Sequence, residues 1–407
     1  MNRFLSRILA GALFAALAFA AWHAGRQAWA DLLFQDNTLN SVQRAVLLEK
    51  GNAEYRELLG EHLEGLGYDP TSEFISATKL SPRNARYWIR LSFFHEVQGK
   101  YQDAERELLE ADRVDRKFDP PWALMNFYFR RNNSREFWRW TRRALEISYD
   151  DVSAIFRLAL NMDSDWRATA AVLPSRSDVA AQFLVFLTND GRANGTGPLA
   201  LQVARTAQAK DVPALLAWCN HAMEKEMPAA VAVWNTLCAR GLLHHKALAP
   251  AEGQLITNGD FSWTPAETGF DWRADPVEGV SAQFPGGSEG LEVTLSGGQP
   301  ENCFLLWQPI PLAAGQHYTL EYQYKVSGSD RTSSVGVHWE IAPPAAGAIL
   351  ARSEDFQASS EWTTATFRFD SAGNNAARLM LRYIRPPGSV RWQGTLMVRE
   401  LTSRISR

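Results

Sequence analysis

In the C-terminal third of the chain, five polar side chains alternate with an apolar set. They are Glu321 and Gln323 in HYTLEYQYKV, His338 and Glu340 in SVGVHWEI, and Arg382 in ARLMLRYI. Two acids, an amide, an imidazole and a guanidinium together offer the donors and acceptors that hold sugar hydroxyls. Trp263, Trp272 and Trp307 would supply the other half of such a site, because an indole stacks on the apolar C–H face of a sugar ring. Strand parity puts the five polar residues opposite the apolar ones, where they would line one concave face. The three tryptophans fall near strand ends or turns. A plainer account stands beside this one: polar residues on an outer face are ordinarily just solvated, and a sandwich tryptophan is ordinarily core.

Glycoside hydrolysis would need two carboxylates across a cleft, one with a raised pKa, and no spacing singles out such a pair. No nucleophile elbow, phosphate loop, HExxH or dinucleotide fingerprint is present. His244 and His245 in LLHHKALAP are the most ligand-like pair, but no third ligand accompanies them, and adjacent histidines at a helix end are ordinarily surface residues. Cys219, Cys238 and Cys303 show neither CxxC nor Cys/His ligand spacing. They read as small buried hydrophobes and leave the redox compartment open. The sequence is therefore read as non-catalytic, with no cofactor and no metal.

The elements that must carry the polar set are strands. From Leu255 onward the hydrophobic period is two: Tyr318, Leu320, Tyr322 and Tyr324 alternate with polar partners, as do Val335, Val337, Trp339 and Ile341. Turns such as LAAGQ and DSAGNNA separate these runs, so residues 251–407 are expected to form an all-β antiparallel sandwich.

Upstream the pattern is helical and repeats. Thirty-four residues separate Trp88 from Trp122, Leu91 from Met125, Gly99 from Asn133 and Ala111 from Leu145. That helix–turn–helix period is the tetratricopeptide signature. Within 85–118 it is met by Trp88, Leu91, Gly99, Tyr101, Ala104, Leu108 and Ala111. The unit over 119–152 is looser and puts Trp138 where a small residue is needed. An earlier unit, with Leu59-Gly60, Ala77 and Pro82, has a period of 32 because its second helix has lost two residues. We assign repeats to 31–152 and irregular helix pairs continuing the stack to 153–250, with NDGRANGTGPLA (189–200) as an exposed turn. Stacked helix pairs present a curved surface whose default use is holding a protein partner.

A net charge of -3 and a hydrophobic fraction of 46% describe ordinary globular material, without the basic excess of a nucleic-acid binder. The one basic-aromatic run, RRNNSREFWRWTRRALE (130–146), puts Phe137, Trp140, Ala144 and Ile147 at helical spacing, so it reads as a packed face with solvated arginines. No nucleic-acid partner is expected. At the N-terminus Arg3 and Arg7 precede an uncharged run of 15 residues, Ile8 to Trp22, or 18 through Gly25. This is read as a signal-anchor over 1–30 that crosses the membrane through 8–25, with the bulk of the chain on the far side. The alternative is a cleaved signal peptide, cut after AFA (18–20) or AWA (28–30).

The order NGDF…GFDWR, GLEVTLSG, WQPIPLAAGQHYTLEYQYKV, EWTTATFRF and RLMLRY…WQGTLMVREL resembles the carbohydrate-binding-module-like jelly roll of the galactose-binding type, over 255–402. Joined to tetratricopeptide units, it resembles bacterial membrane-associated proteins linked to surface-polysaccharide production. The resemblance implies a multidomain chain: a transmembrane helix, an all-α repeat array, then an all-β jelly roll. It also implies a single-pass inner-membrane scaffold with its bulk in the periplasm, a protein partner on the repeats and a polysaccharide on the jelly roll. Two rivals remain: a jelly roll used only for protein interaction, and an unrecognised carbohydrate-active enzyme. Many members of the family hold a structural calcium with a Glu straight after the NGDF Phe and an Asp in the closing strand. Here those places carry Ser262 and Arg399, so the calcium site is expected to be absent or crippled, with Asp260 and Glu400 the carboxylates left to rebuild it.

Overall fold

A computed structural model describes residues 2–285, 289–328, 334–344 and 348–406, and of residues 2–6 the backbone alone. The chain forms two compact units, Met1–Pro174 and Ser175–Arg407.

The first unit opens on helix α1 (Asn2–Gln35). Its stretch Arg7–Gln35 is long and apolar enough to cross a membrane, and none of the apolar window is buried. The last turns of the same helix behave differently. Ala30 is fully buried against Val42, Ala45, Val46 and Tyr55. The Tyr55 hydroxyl donates to Asp31, and Arg26 pairs with Glu49 at 3.0 Å. The apolar helix thus runs without a break into a hairpin with α2 (Leu39–Leu48), whose start is fixed by a reciprocal Thr38–Ser41 cap.

Three helix pairs follow: α3 (Ala53–Gly65) with α4 (Thr71–Leu80), α5 (Ala85–Val97) with α6 (Tyr101–Val114), and α7 (Asp119–Arg130) with α8 (Ser134–Ile147). Gly99 turns α5 into α6 at φ +76°, where a side chain would be strained. The helix α4 is shorter than α6, and the turn before it longer, which gives the net two-residue loss read from the sequence. One detail is corrected. The small-residue position of the last pair falls on Phe137, fully buried, while Trp138 is only half buried. The reason is that α7 is one residue shorter than α5, so the second helix runs 33 residues behind its predecessor. Phe137, Trp140 and Ala144 form the buried face of α8, whereas Arg135, Arg139 and Arg142 are exposed. The helices α9 (Ser153–Met162) and α10 (Trp166–Ala170) complete the unit.

The second unit begins with α11 (Ser177–Asn189), α12 (Gly197–Thr206), α13 (Val212–Ala222) and α14 (Met227–Ala239). The turn expected to be exposed near 189–200 is partly buried: Thr196 is fully covered and accepts a 2.8 Å bond from the Trp218 indole N–H. Among the described residues nine strands follow, β1 (Val280–Gln283), β2 (Leu291–Ser296), β3 (Asn302–Pro311), β4 (His317–Gly328), β5 (Val337–Ala342), β6 (Ala351–Arg352), β7 (Ser359–Asp370), β8 (Ala376–Ile384) and β9 (Gln393–Ile405). They make two antiparallel sheets, ordered β1-β2-β9-β4-β7 and β3-β8-β5-β6. Alternate residues of both sheets, among them Val293, Leu320, Tyr322, Trp339, Leu381 and Leu396, meet in one buried core.

The NGDF…GFDWR segment welds this unit together. Asn258 sits at φ +48°, and its amide side chain closes a loop by donating to the Trp263 carbonyl at 2.8 Å. A Cβ on Gly259 would lie 2.0 Å from the Leu401 carbonyl oxygen, so only glycine lets this segment approach β9. The Leu401 N–H donates to the Gly259 carbonyl at 2.8 Å. Farther along, the Gly269 N–H and the Arg273 guanidinium both donate to the Asn220 side-chain oxygen on α13, at 2.7 and 2.8 Å. Phe270 packs edge-on against Trp234 of α14. Helices α13 and α14 are thereby part of the same packed body as the sandwich.

Candidate functional site

The five polar residues do point away from the core, but not onto one face. Parity along a strand separates inside from outside, yet a sandwich has two outsides. Glu321 and Gln323 lie on the outer face of the five-stranded sheet, where Arg399 donates to Gln323 at 2.9 Å and Arg404 approaches Glu321 at 3.5 Å. His338, Glu340 and Arg382 lie on the outer face of the four-stranded sheet. The expected single concave cluster is therefore split in two.

The three tryptophans divide as well. Trp272 is completely buried, its indole N–H donating to the Asn258 carbonyl at 3.1 Å, so it has no ring face to offer a ligand. Trp263 stands off both sheets, about half exposed, stacked on His244. Trp307 is in mid-strand rather than near an end. A bulge in β3 between Phe304 and Leu306 shifts the register by one, which turns Trp307 outward beside Phe304.

The four-stranded face thus collects four of the eight candidates. Cross-strand pairing sets Phe304, Arg382 and His338 side by side in one row, and Trp307, Met380, Glu340 and Arg352 in the next. Arg382 donates to both Glu340 oxygens, at 2.9 and 2.8 Å, and from Nε to Asn302 at 2.9 Å. Its guanidinium also lies 5.0 Å from the centre of the exposed Phe304 ring. Trp307 is flanked by the guanidiniums of Arg273 and Arg378, 4.5 and 5.1 Å from its ring centre.

His338 is the unsatisfied member. It is wholly buried, and among the described residues neither ring nitrogen has a hydrogen-bond partner. The nearest carboxylates, Asp355 and Glu340, stand 3.4 and 3.8 Å away, and Arg352 holds Asp355 at 2.8 Å. Burial, with a further push from Arg352, holds its imidazole below the ordinary histidine range, against the pull of Asp355 and Glu340. His338 is accordingly neutral at pH 7.

Chemically, the face offers aromatic area beside a rigid charge pair and polar edges. Phe304, Arg352 and Asp355 were not among the sequence candidates. The β3 bulge hid Phe304, since unbroken alternation would place it opposite Trp307. No sequence pattern marks the Arg352–Asp355 pair, which reaches His338 only through the β5–β6 pairing.

No protein-family model matches the chain, and no curated protein does. Among solved structures, it is similar to a carbohydrate-binding module of the CBM4 group, at 14% identity, over 37% of this chain and 99% of that one, with a TM-score of 0.29. It is similar to the CBM22-1 xylan-binding domain of Paenibacillus barcinonensis Xyn10C, at 11% identity, over 38% and 96%, with a TM-score of 0.27. It is also similar to YrrB, a TPR protein with an unusual peptide-binding site, at 13% identity, over 50% and 96%, with a TM-score of 0.25. At such TM-scores these likenesses carry no argument. The architecture rests on the helices and strands described above.

The calcium positions can be read directly. Ser262 carries no carboxylate, and Arg399 is committed to Gln323 and to the face of Trp362, 4.0 Å from the ring centre. Among the described residues no cluster of three His, Cys, Asp or Glu side chains is placed to hold a metal. Hydrogen bonds tie the entering segment to the closing strand. The Leu255 N–H donates to Ser403 Oγ at 2.9 Å, and that hydroxyl donates to the Gly253 carbonyl at 2.6 Å.

Proposed function

We propose that the protein is a non-catalytic, membrane-anchored binding scaffold. Its helical repeats hold a protein partner, and its sandwich holds a glycan on the outer face of the four-stranded sheet. The observation that carries this reading is the exposed Phe304 ring beside Arg382 and next to Trp307, with the buried Glu340 fixing the guanidinium from within and His338 buried alongside. Aromatic faces stack on sugar C–H surfaces while fixed polar groups set orientation, which is the usual division of labour in a sugar site. The apolar stretch of α1, preceded by Arg3 and Arg7, supports a single-pass inner-membrane protein with its bulk in the periplasm. The protein partner is supported by an apolar-aromatic patch on the repeats, where Val97, Phe93 and Tyr101 are exposed beside Arg130 and Arg131. The joining of these parts in one chain is what supports a role in envelope-polysaccharide assembly. The test is a glycan array probed with residues 175–407, followed by incubation with each glycan retained. Binding without cleavage supports the scaffold; released sugar would favour an enzyme. No glycan retained, with a protein captured by the same fragment, would favour a pure interaction domain.

A further inference from the structure

We propose that a second carbohydrate site lies off the sheet faces, in a cleft where a neutral sugar stacks on Trp263 and is hydrogen-bonded by Asp260 and Glu400. The cleft has a volume of about 410 Å³ and is walled by the linker at His244–Ala247, the entering segment and the closing strand β9. It is independent of the four-stranded face, and none of its residues belongs to that set.

The indole is already positioned. Trp263 donates its backbone N–H to Asn258 Oδ1 at 3.2 Å and accepts from Asn258 Nδ2 at 2.8 Å, so its backbone is clamped. The ring lies nearly parallel to His244, 4.9 Å between centres and 15° between planes, while half of the residue stays exposed. An imidazole braces one face and leaves the other for a ligand. A ring held this way loses little freedom on binding.

The carboxylates point to the same occupant. Asp260 and Glu400 both line the cleft, both are exposed, and among the described residues neither has a salt-bridge partner. Glu400 is held at φ +54°, in the left-handed region that side chains other than glycine rarely adopt. It sits where the β4–β9 register slips, with Glu400 and Leu401 together opposing Tyr322. Bulges re-aim a side chain out of the ladder, and residues kept in such a conformation cluster at ligand sites. Two carboxylates lining one cleft can accept hydrogen bonds from sugar hydroxyls. With two carboxylates against one ammonium, Lys246, the cleft is net negative and disfavours uronates and sulfates, which points to a neutral sugar. Lys246 on the linker wall and Thr402 on β9 add a donor and a hydroxyl. A metal is not favoured, since among the described residues no three His, Cys, Asp or Glu side chains are grouped to hold one.

The experiment uses the full chain in a detergent without a sugar headgroup, carrying Phe304→Ala to disable the sheet face without touching the cleft. Calorimetry with cellotetraose, xylotetraose, mannotetraose and tetragalacturonate is the readout. At least one neutral tetrasaccharide should bind. Adding Trp263→Ala should weaken it at least tenfold, and Asp260→Asn or Glu400→Gln at least threefold, with unchanged melting temperature. His244→Phe, which keeps the stack, should retain binding. No neutral binding, a preference for tetragalacturonate, or indifference to Trp263→Ala would overturn the proposal. Because the sheet face is already disabled, none of these outcomes bears on the other site.

Discussion

The Glu340–Arg382 pair permits the sharpest energetic test of the four-stranded face. The side chains are only 3% and 18% exposed, so neither charge can be rehydrated without moving. Removing one partner of a buried pair costs about 3–5 kcal/mol, because the other is left uncompensated. Arg382 keeps its bond to Asn302 and its place over Phe304, so Glu340→Met should fall near the lower end. For a body of this size about 3 kcal/mol lowers the melting temperature by roughly 6–12 °C. Arg382→Met should cost a similar amount, since it strands Glu340 beside the neutral His338. Glu340→Met combined with Arg382→Met removes both charges and restores apolar volume, and buried pairs replaced this way often leave stability within about 1 kcal/mol of the original. Urea unfolding of residues 175–407, followed by tryptophan fluorescence, gives the cycle. A coupling of about 2 kcal/mol or more is expected, together with loss of any glycan affinity in the stable double variant. Additive single losses, or a Glu340→Met cost below about 1 kcal/mol, would refute the view that this is a buried, mutually dependent pair.

Three further outcomes follow from the same geometry. His338 has a folded-state pKa below its ordinary value of 6.5, so the unfolded chain takes up the proton first. Its contribution is therefore intact above that pH and is lost as pH falls through it. Unfolding measured from pH 7.5 to 5.5 should show a steeper loss for the wild type than for His338→Gln, and parallel profiles would contradict this. Residues 175–407 should melt at the same temperature in excess calcium and in chelator, because Ser262 and Arg399 replace the carboxylates and Ser403 ties the strand ends; a rise of several degrees would show a rebuilt site. A fragment cut to 251–407 should melt well below 175–407, since it loses the Asn220 bonds to Gly269 and Arg273 and the Trp234 contact to Phe270. Equal melting temperatures would show that α13 and α14 add nothing.

The architecture was legible because its two periods differ so plainly. Tyr318 to Tyr324 alternate in two, while Ala104, Leu108 and Ala111 keep helical spacing and are buried as that spacing requires. What the sequence concealed were single-residue slips. A helix, α7, shortened by one residue moves the tight helix contact from Trp138 to Phe137, and the β3 bulge brings Trp307 outward beside Phe304. Alternation also cannot tell one sheet from the other, so it groups Glu321 and Gln323 with His338, Glu340 and Arg382 although the sandwich core lies between them. Trp272 was unreadable for another reason: its burial depends on Asn258 and Phe261, brought to it by the loop rather than by any period. The function of NGDF was hidden likewise, since Gly259 is needed only because β9 passes it from the far end of the sequence.

The central claim is that the sandwich holds a glycan on the outer face of the four-stranded sheet. Hydrogen–deuterium exchange of residues 175–407, with and without a glycan retained on the array, tests it most directly. Slower exchange should appear along β3, β8 and β5, at the rows holding Phe304, Arg382 and His338, and it should vanish in Phe304→Ala. Protection confined to β4, β7 and β9, around Glu321 and Gln323, would contradict the claim and move the site to the opposite sheet.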